Sequence, residues 1–148
     1  MRGLQPLIHE SKGCLTVAIR DKKEIVAIYP QGKHQIIGAA IDIGSTTLAL
    51  YVYDLKNAKL VYESSAMNPQ IRFGEDLMSR VSYVMMNKGG DEKLTTAVRT
   101  KITEMLHEAC EYLEIERDKL LEVVLVGNPI MHHIFFGISP VELGQAPF

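Results

Sequence analysis

The chain has no tryptophan, only two cysteines, no long apolar run and no excess of charge of either sign. Each shortage removes a class of function. Cys14 and Cys110 lie far apart and form no CxxC pair. A disulfide scaffold, a structural zinc site or an iron–sulfur cluster needs more thiols at tighter spacing. The expectation is therefore two reduced, buried thiols. Sixteen basic against eighteen acidic residues leave a net charge of -2, and basic residues never cluster. That lacks the electrostatic footprint of a nucleic-acid binder. There is no Asn-x-Ser/Thr acceptor, no signal-like N-terminus and no apolar run approaching the roughly 18 residues of a membrane span, so a cytoplasmic location is expected. A Gly-Lys-Ser/Thr phosphate loop and a GxGxxG fingerprint are absent too, which removes P-loop and dinucleotide-binding folds.

What remains is a chain of 148 residues, 47% apolar and 23% charged, the balance of a globular protein with one real core. Residues 1–12 show no clear period. Residues 14–20 and 24–29 are rich in β-branched side chains and flank the charged turn Asp21-Lys22-Lys23, which predicts a hairpin. Pro30, Gly32 and their neighbours break that pattern, so residues 1–35 read as a linker and β-hairpin segment outside the main fold. From 36 onward three strands are expected at 36–42, 48–54 and 60–66, joined by connections short enough for an antiparallel meander. A loop is expected at 68–70 and a helix at 74–87, with Leu77, Val81, Val84 and Met85 on its apolar face and Glu75 and Asp76 in its first turn. Asp91 is placed to cap a long helix whose apolar positions are Leu94, Val98, Ile102, Met105, Leu106, Ala109 and Leu113. Cys110 falls among them and reads as core. Residues 123–126 are too short and β-branched for a helix and predict a fourth strand. Pro129 then opens a final helix through 136.

Three antiparallel strands, a helical crossover and a parallel fourth strand open a ribonuclease H-like fold. The expected fold class is thus α/β, with a mixed sheet, over residues 36–148. No further strand follows, so the sequence reads as truncated.

The chemistry concentrates at the turn after the first of those strands. Asp42, Gly44, Ser45, Thr46 and Thr47 put a carboxylate, a glycine and three hydroxyls within six residues. Glycine lets backbone N–H groups approach anionic oxygens, and hydroxyls add donors. The carboxylate suits a hydrated divalent cation. An ordinary hairpin turn would use the same residue types, but this one opens at the C-terminal end of a central strand, where open sheets bind ligands. Gly127 and Asn128, after the fourth strand, form a second strand-to-helix turn at which a nucleotide can meet backbone. The segment 68–80 reads first as a loop leading into an acid-capped helix. His132 and His133 are adjacent, so they point in different directions and do not make a metal pair as i, i+4 histidines do.

Three blocks, AIDIGSTTLALYVYDL, SSAMNPQIRFGEDLMSRVSY and VVLVGNPIMHHIFFGISPVELGQAPF, together resemble the ATP-dependent reductive activators of corrinoid proteins, members of the sugar kinase/heat-shock protein/actin ATPase superfamily. The resemblance runs from about residue 36 to 148, and residues 1–35 resemble the segment joining a ferredoxin-like part to the ATPase part. It implies the first lobe of an actin-like ATPase, in which ATP drives reduction of cob(II)alamin to cob(I)alamin in a methyl-transfer protein. Its implied cofactors are ATP and Mg²⁺, with Asp42, Gly44, Ser45, Thr46 and Thr47 as first phosphate loop, Asp42 near the Mg²⁺ through water, and Gly127 and Asn128 matching a Val-Gly-Asn block. Family members carry small hydroxyl residues after that Asn, where this chain has Pro129 and Ile130. The implied partners are a corrinoid protein or corrinoid-dependent methyltransferase and an electron donor, and a homodimer is an assembly the resemblance allows. The iron–sulfur cluster and second lobe are implied outside these residues, so the chain alone is expected to turn over ATP poorly.

Three other readings compete. A small-molecule kinase shares the first phosphate loop but needs a catalytic Asp that these residues do not assign. A ribonuclease H-like nuclease needs further acidic ligands near Asp42, for which Glu63 and Glu122 are candidates. A non-catalytic module would dock a corrinoid protein, with 68–80 as its face.

Overall fold

The computed structural model describes residues 4–32 and 34–145. Lys33 of the expected linker and the last three positions of the third block lie outside the described residues. In chain order the elements are α1 (Leu4–Glu10), β1 (Leu15–Arg20), β2 (Glu24–Pro30), β3 (Ile37–Ile43), β4 (Thr47–Asp54), β5 (Lys59–Met67), α2 (Leu77–Met86), α3 (Gly90–Tyr112), β6 (Leu120–Gly127) and α4 (Pro129–Phe136). The fold is α/β with a mixed sheet, as expected.

β1 and β2 pair antiparallel as a separate two-stranded sheet, with a register shift after Ala18. The hairpin is tied to the main sheet by an Arg20–Glu122 ion pair at 3.1 Å and by Lys119 over the buried Tyr29 ring. The four-stranded sheet has the order β5-β4-β3-β6. β3 pairs antiparallel with β4 and parallel with β6, the latter from Ile37 opposite Leu120 to Ile43 opposite Gly127. A parallel neighbour requires a long crossover, which α2 and α3 supply.

Alternation along the strands sends Ile37, Ala39, Ile41 and Ile43 of β3, and Leu48, Leu50 and Val52 of β4, to one face. There they meet Leu94, Val98, Ile102, Met105 and Ala109 of α3, and Met131 and Ile134 of α4, in a single buried cluster. α3 also holds the end of α4: the Thr95 hydroxyl donates to the Ile134 carbonyl at 2.7 Å and Arg99 Nε to Phe135 at 2.7 Å. The opposite face of the sheet leaves Tyr51, Val124 and Val126 exposed.

Several local expectations need correction. Residues 4–10 form a helix with no buried residue, so it has no apolar stripe that periodicity could detect. Residues 69–73 are a 3-10 turn rather than plain loop, with Asn68 as its cap and Pro69 at its first position. α2 begins at Leu77, not at 74. Its cap is Asp76, whose carboxylate accepts the Ser79 N–H at 2.7 Å while the Ser79 hydroxyl accepts the Asp76 N–H at 3.1 Å. Glu75 therefore precedes the helix, and Met85 is exposed rather than on the buried face. α3 is capped by Gly89 in the left-handed region (φ 72), which puts Asp91 inside the first turn instead of at the cap. Cys110 is buried as expected, and burial pushes its thiol upward in pKa, but Cys14 is exposed.

The α2 cap generates a pH prediction. Hydrogen bonds from Ser79 hold the Asp76 carboxyl below its ordinary 3.8. A depressed carboxylate stabilises the fold above its unfolded value, and that contribution disappears as pH falls through the lower folded value. Asp76→Asn keeps a capping side chain but removes the titration, so unfolding midpoints measured between about pH 2 and 5 should show a shallower acid loss than wild type.

Candidate phosphate-binding loop

The parallel β3–β6 register brings the two sequence-predicted segments to the same end of the sheet. Asp42 lies opposite Val126, and Ile43 opposite Gly127. Gly44 follows β3 directly and Asn128 follows β6 directly. A Cβ on Gly127 would lie 3.2 Å from the Ile43 carbonyl oxygen, so the two strand ends are in close contact.

The turn itself is tight. Gly44 N–H donates to the Thr47 carbonyl at 3.0 Å, and a Cβ on Gly44 would sit 2.6 Å from that same oxygen. Only glycine fits there. Asp42, Thr46 and Thr47 are exposed, and Ser45 is half-buried. Among the described residues, the three hydroxyls and the N–H groups of Ser45 and Thr46 donate to no protein acceptor, and Asp42 is in no ion pair.

Beneath the turn lies a polar cluster that sequence reasoning missed. Asn68, Gln70 and Arg80 are all 0% exposed. Asn68 Nδ2 donates to the Gly44 carbonyl at 2.8 Å and its backbone N–H to the Thr46 carbonyl at 2.8 Å. The Arg80 guanidinium donates to the Ser45 carbonyl between them. It also donates to the Gly74 carbonyl at 2.9 Å, Gln70 Oε1 at 3.3 Å and Met131 Sδ at 3.2 Å. Gln70 Nε2 is in turn bound to the Leu94 carbonyl of α3 at 2.9 Å. Burial lowers the Arg80 pKa from its usual value, partly offset by Asp76.

This cluster has a direct geometric consequence. A trans peptide carries its C=O and the following N–H on opposite sides. Holding the Gly44 and Ser45 carbonyls inward therefore turns the N–H groups of Ser45 and Thr46 outward. Successive outward N–H groups in a turn are the backbone donors that anions use. The only sequence signal for the cluster was the run Asn68-Pro69-Gln70 followed by an arginine on the next helix. Nothing in composition says that those polar side chains point inward.

The second turn is differently engaged. Asn128 caps α4, its Oδ1 accepting the Met131 N–H at 3.0 Å, so that oxygen serves the helix. Pro129 at the first helical position has no N–H to offer. Gly127 is exposed and presents backbone toward the same end of the sheet as Asp42. His132 packs against Phe136, and His133 Nδ1 lies 3.2 Å from the Ser139 carbonyl.

The nuclease candidates are not gathered. Glu122 pairs with Gly38, four residues down the strand from the Asp42 level, on the order of 13 Å away, and is bound to Arg20. Glu63 lies two strands away, opposite Tyr51. The segment 68–80 is also not a uniform docking face: Asn68, Gln70 and Arg80 are interior, while Arg72 and Glu75 are exposed. A groove of about 610 Å³ lined by Arg72, Phe73, Lys93 and Lys101 contains none of the predicted phosphate-loop residues.

Comparison with known proteins decides the family. Residues 37–148 match the family described as RACo middle region. The chain belongs to the RACo middle-region family. It is 34% identical over 113 residues to the corrinoid activation enzyme RamQ of Eubacterium limosum, covering 76% of this chain and 19% of RamQ. Its fold matches a solved reductive activator for a corrinoid, iron–sulfur protein with a TM-score of 0.86 at 30% identity, covering 99% of this chain and 24% of that one. The chain thus spans about a fifth to a quarter of the length of these relatives.

The tight turn at Gly44 makes a stability prediction. Gly44→Ala must displace the Thr47 carbonyl, costing about 1–3 kcal/mol of unfolding free energy in urea titration. An equally stable variant would show that the turn is not as tight as described.

Proposed function

We propose that this chain carries the first phosphate-binding loop of an ATP-dependent reductive activator that returns cob(II)alamin to cob(I)alamin in a corrinoid methyl-transfer protein. The observation that carries the reading is the pair of outward N–H groups of Ser45 and Thr46, beside the Asp42 carboxylate, none of them partnered among the described residues, in a member of the RACo middle-region family.

In this reading the Ser45 and Thr46 N–H groups and the Ser45, Thr46 and Thr47 hydroxyls donate to phosphate oxygens. Gly44 and Gly127 keep side chains out of the path. Asp42 holds Mg²⁺ through water. Among the described residues no cluster of three metal-ligating side chains exists, which suits Mg²⁺ retained by one carboxylate plus substrate phosphates. Asn128 contributes as the cap of α4, its Oδ1 already accepting the Met131 N–H. The reduction adds one electron to cobalt, supplied in this reading by an iron–sulfur donor carried in sequence outside this chain. ATP would contribute by binding between this lobe and a second one, closure being the step that couples nucleotide to the corrinoid partner.

The names of the relatives support corrinoid activation over a small-molecule kinase. They are compatible with a docking contribution from the exposed Arg72 and Glu75, but the free donors at 45 and 46 favour a phosphate-binding role.

Two outcomes test this. In the whole protein, Asp42→Ala should abolish ATP-dependent cob(I)alamin formation, followed by its absorbance, while leaving the unfolding midpoint near wild type. Undiminished cob(I)alamin formation would refute the role of Asp42. Residues 1–148 alone should hydrolyse ATP no faster than a Ser45→Ala/Thr46→Ala control, and robust turnover above that control would sink the two-lobe reading.

A further inference from the structure

Arg80 is fully buried, and among the described residues it forms no ion pair. Its four partners, the carbonyls of Ser45 and Gly74, Gln70 Oε1 and Met131 Sδ, are all neutral. Among the described residues the carboxylate that acts on it is Asp76, which is exposed and already bound to Ser79. A buried charge without a counter-charge is among the costliest arrangements a fold can keep, and hydrogen bonds to neutral acceptors offset that cost only in part. Buried arginines are ordinarily paired with a carboxylate. This one instead directs its guanidinium at the inner side of the candidate phosphate loop, across a single peptide unit from the outward Thr46 N–H.

We propose that Arg80 is a positioning residue whose missing counter-ion is the bound polyphosphate: it fixes the Ser45–Thr46 peptide and lends the loop a positive field from behind. The inference rests on the reading of 42–47 as a phosphate loop. Its chemistry is selective for charge. Each added phosphate increases the attraction, in an interior where Coulomb interactions are less screened than in water. Mg²⁺ cancels two of a triphosphate's charges, so the selectivity is read without the metal: metal-free nucleotide triphosphate carries more negative charge than a monophosphate and benefits more. Gln70 is the second member of this device, since it bonds Arg80 through Oε1 and the Leu94 carbonyl through Nε2. It keeps the guanidinium from turning toward α3 without neutralising it.

The test separates charge from mere bracing. ATP and AMP affinities of wild type, Arg80→Lys and Arg80→Met, both without Mg²⁺, are measured by titration at low and high KCl, with Mg·ATP binding of wild type and unfolding midpoints alongside. If the field acts, Arg80→Met lowers the ATP-to-AMP affinity ratio about tenfold and flattens its salt dependence, whereas Arg80→Lys, which keeps a charge but not the planar fork, retains the ratio within about twofold. Should Arg80→Met fail to fold, the Arg80→Lys ratio decides alone. A folded Arg80→Lys whose ratio falls about tenfold overturns the proposal, as does an Arg80→Met that keeps it. Absence of Mg·ATP binding by wild type would instead overturn the phosphate-loop reading, and this inference with it.

Discussion

The parallel pairing of β3 with β6 is the constraint on which the site depends. Two strands far apart in sequence run in the same direction and end side by side, Ile43 opposite Gly127. Because they are parallel, both following turns emerge at one edge. Had β6 paired antiparallel, residues 42–47 and 127–128 would lie at opposite ends of the sheet and share no ligand. The register itself is enforced by the core. Ile37, Ala39, Ile41 and Ile43 must all face α3 and α4, and a one-residue slip would turn them outward.

Under the first turn the chain spends buried polar groups, which is unusual inside a domain of this size. Asn68, Gln70 and Arg80 satisfy one another and three consecutive loop carbonyls. Buried networks of this kind tend to specify a single arrangement when every member is satisfied. Here the arrangement exposes successive N–H groups and leaves the hydroxyls free. The same network includes Arg80 of α2 and reaches α3 through the Leu94 carbonyl and α4 through Met131. The loop is therefore mechanically continuous with the three helices that cover the sheet.

Much of this was legible in the sequence. The strands announced themselves by β-branched runs and short turns, and α3 by a helical stripe from Leu94 to Ala109. Asn128-Pro129 marked the start of α4 because asparagine caps and proline fits the first turn. The parallel fourth strand followed from the long crossover. What stayed hidden has physical causes. α1 buries nothing, so no pattern betrays it. The cap of α3 depends on a positive φ at Gly89, which residue type alone does not reveal when a capping Asp stands two positions on. Cys14 broke the expectation of burial because it precedes a small hairpin with little interior. Asn68, Gln70 and Arg80 were read as a surface segment because their polarity argues for solvent. Only the third dimension shows three backbone carbonyls waiting for them.

The most direct measurement is a map of backbone amide shifts on residues 1–148 during titration with Mg·ATP. The account predicts weak saturable binding, on the order of millimolar, with the largest changes at Ser45, Thr46 and Gly127 and smaller ones at Asn68 and Arg80. Shifts centred instead on the groove lined by Arg72, Phe73, Lys93 and Lys101, with the 42–47 turn unmoved, would contradict it.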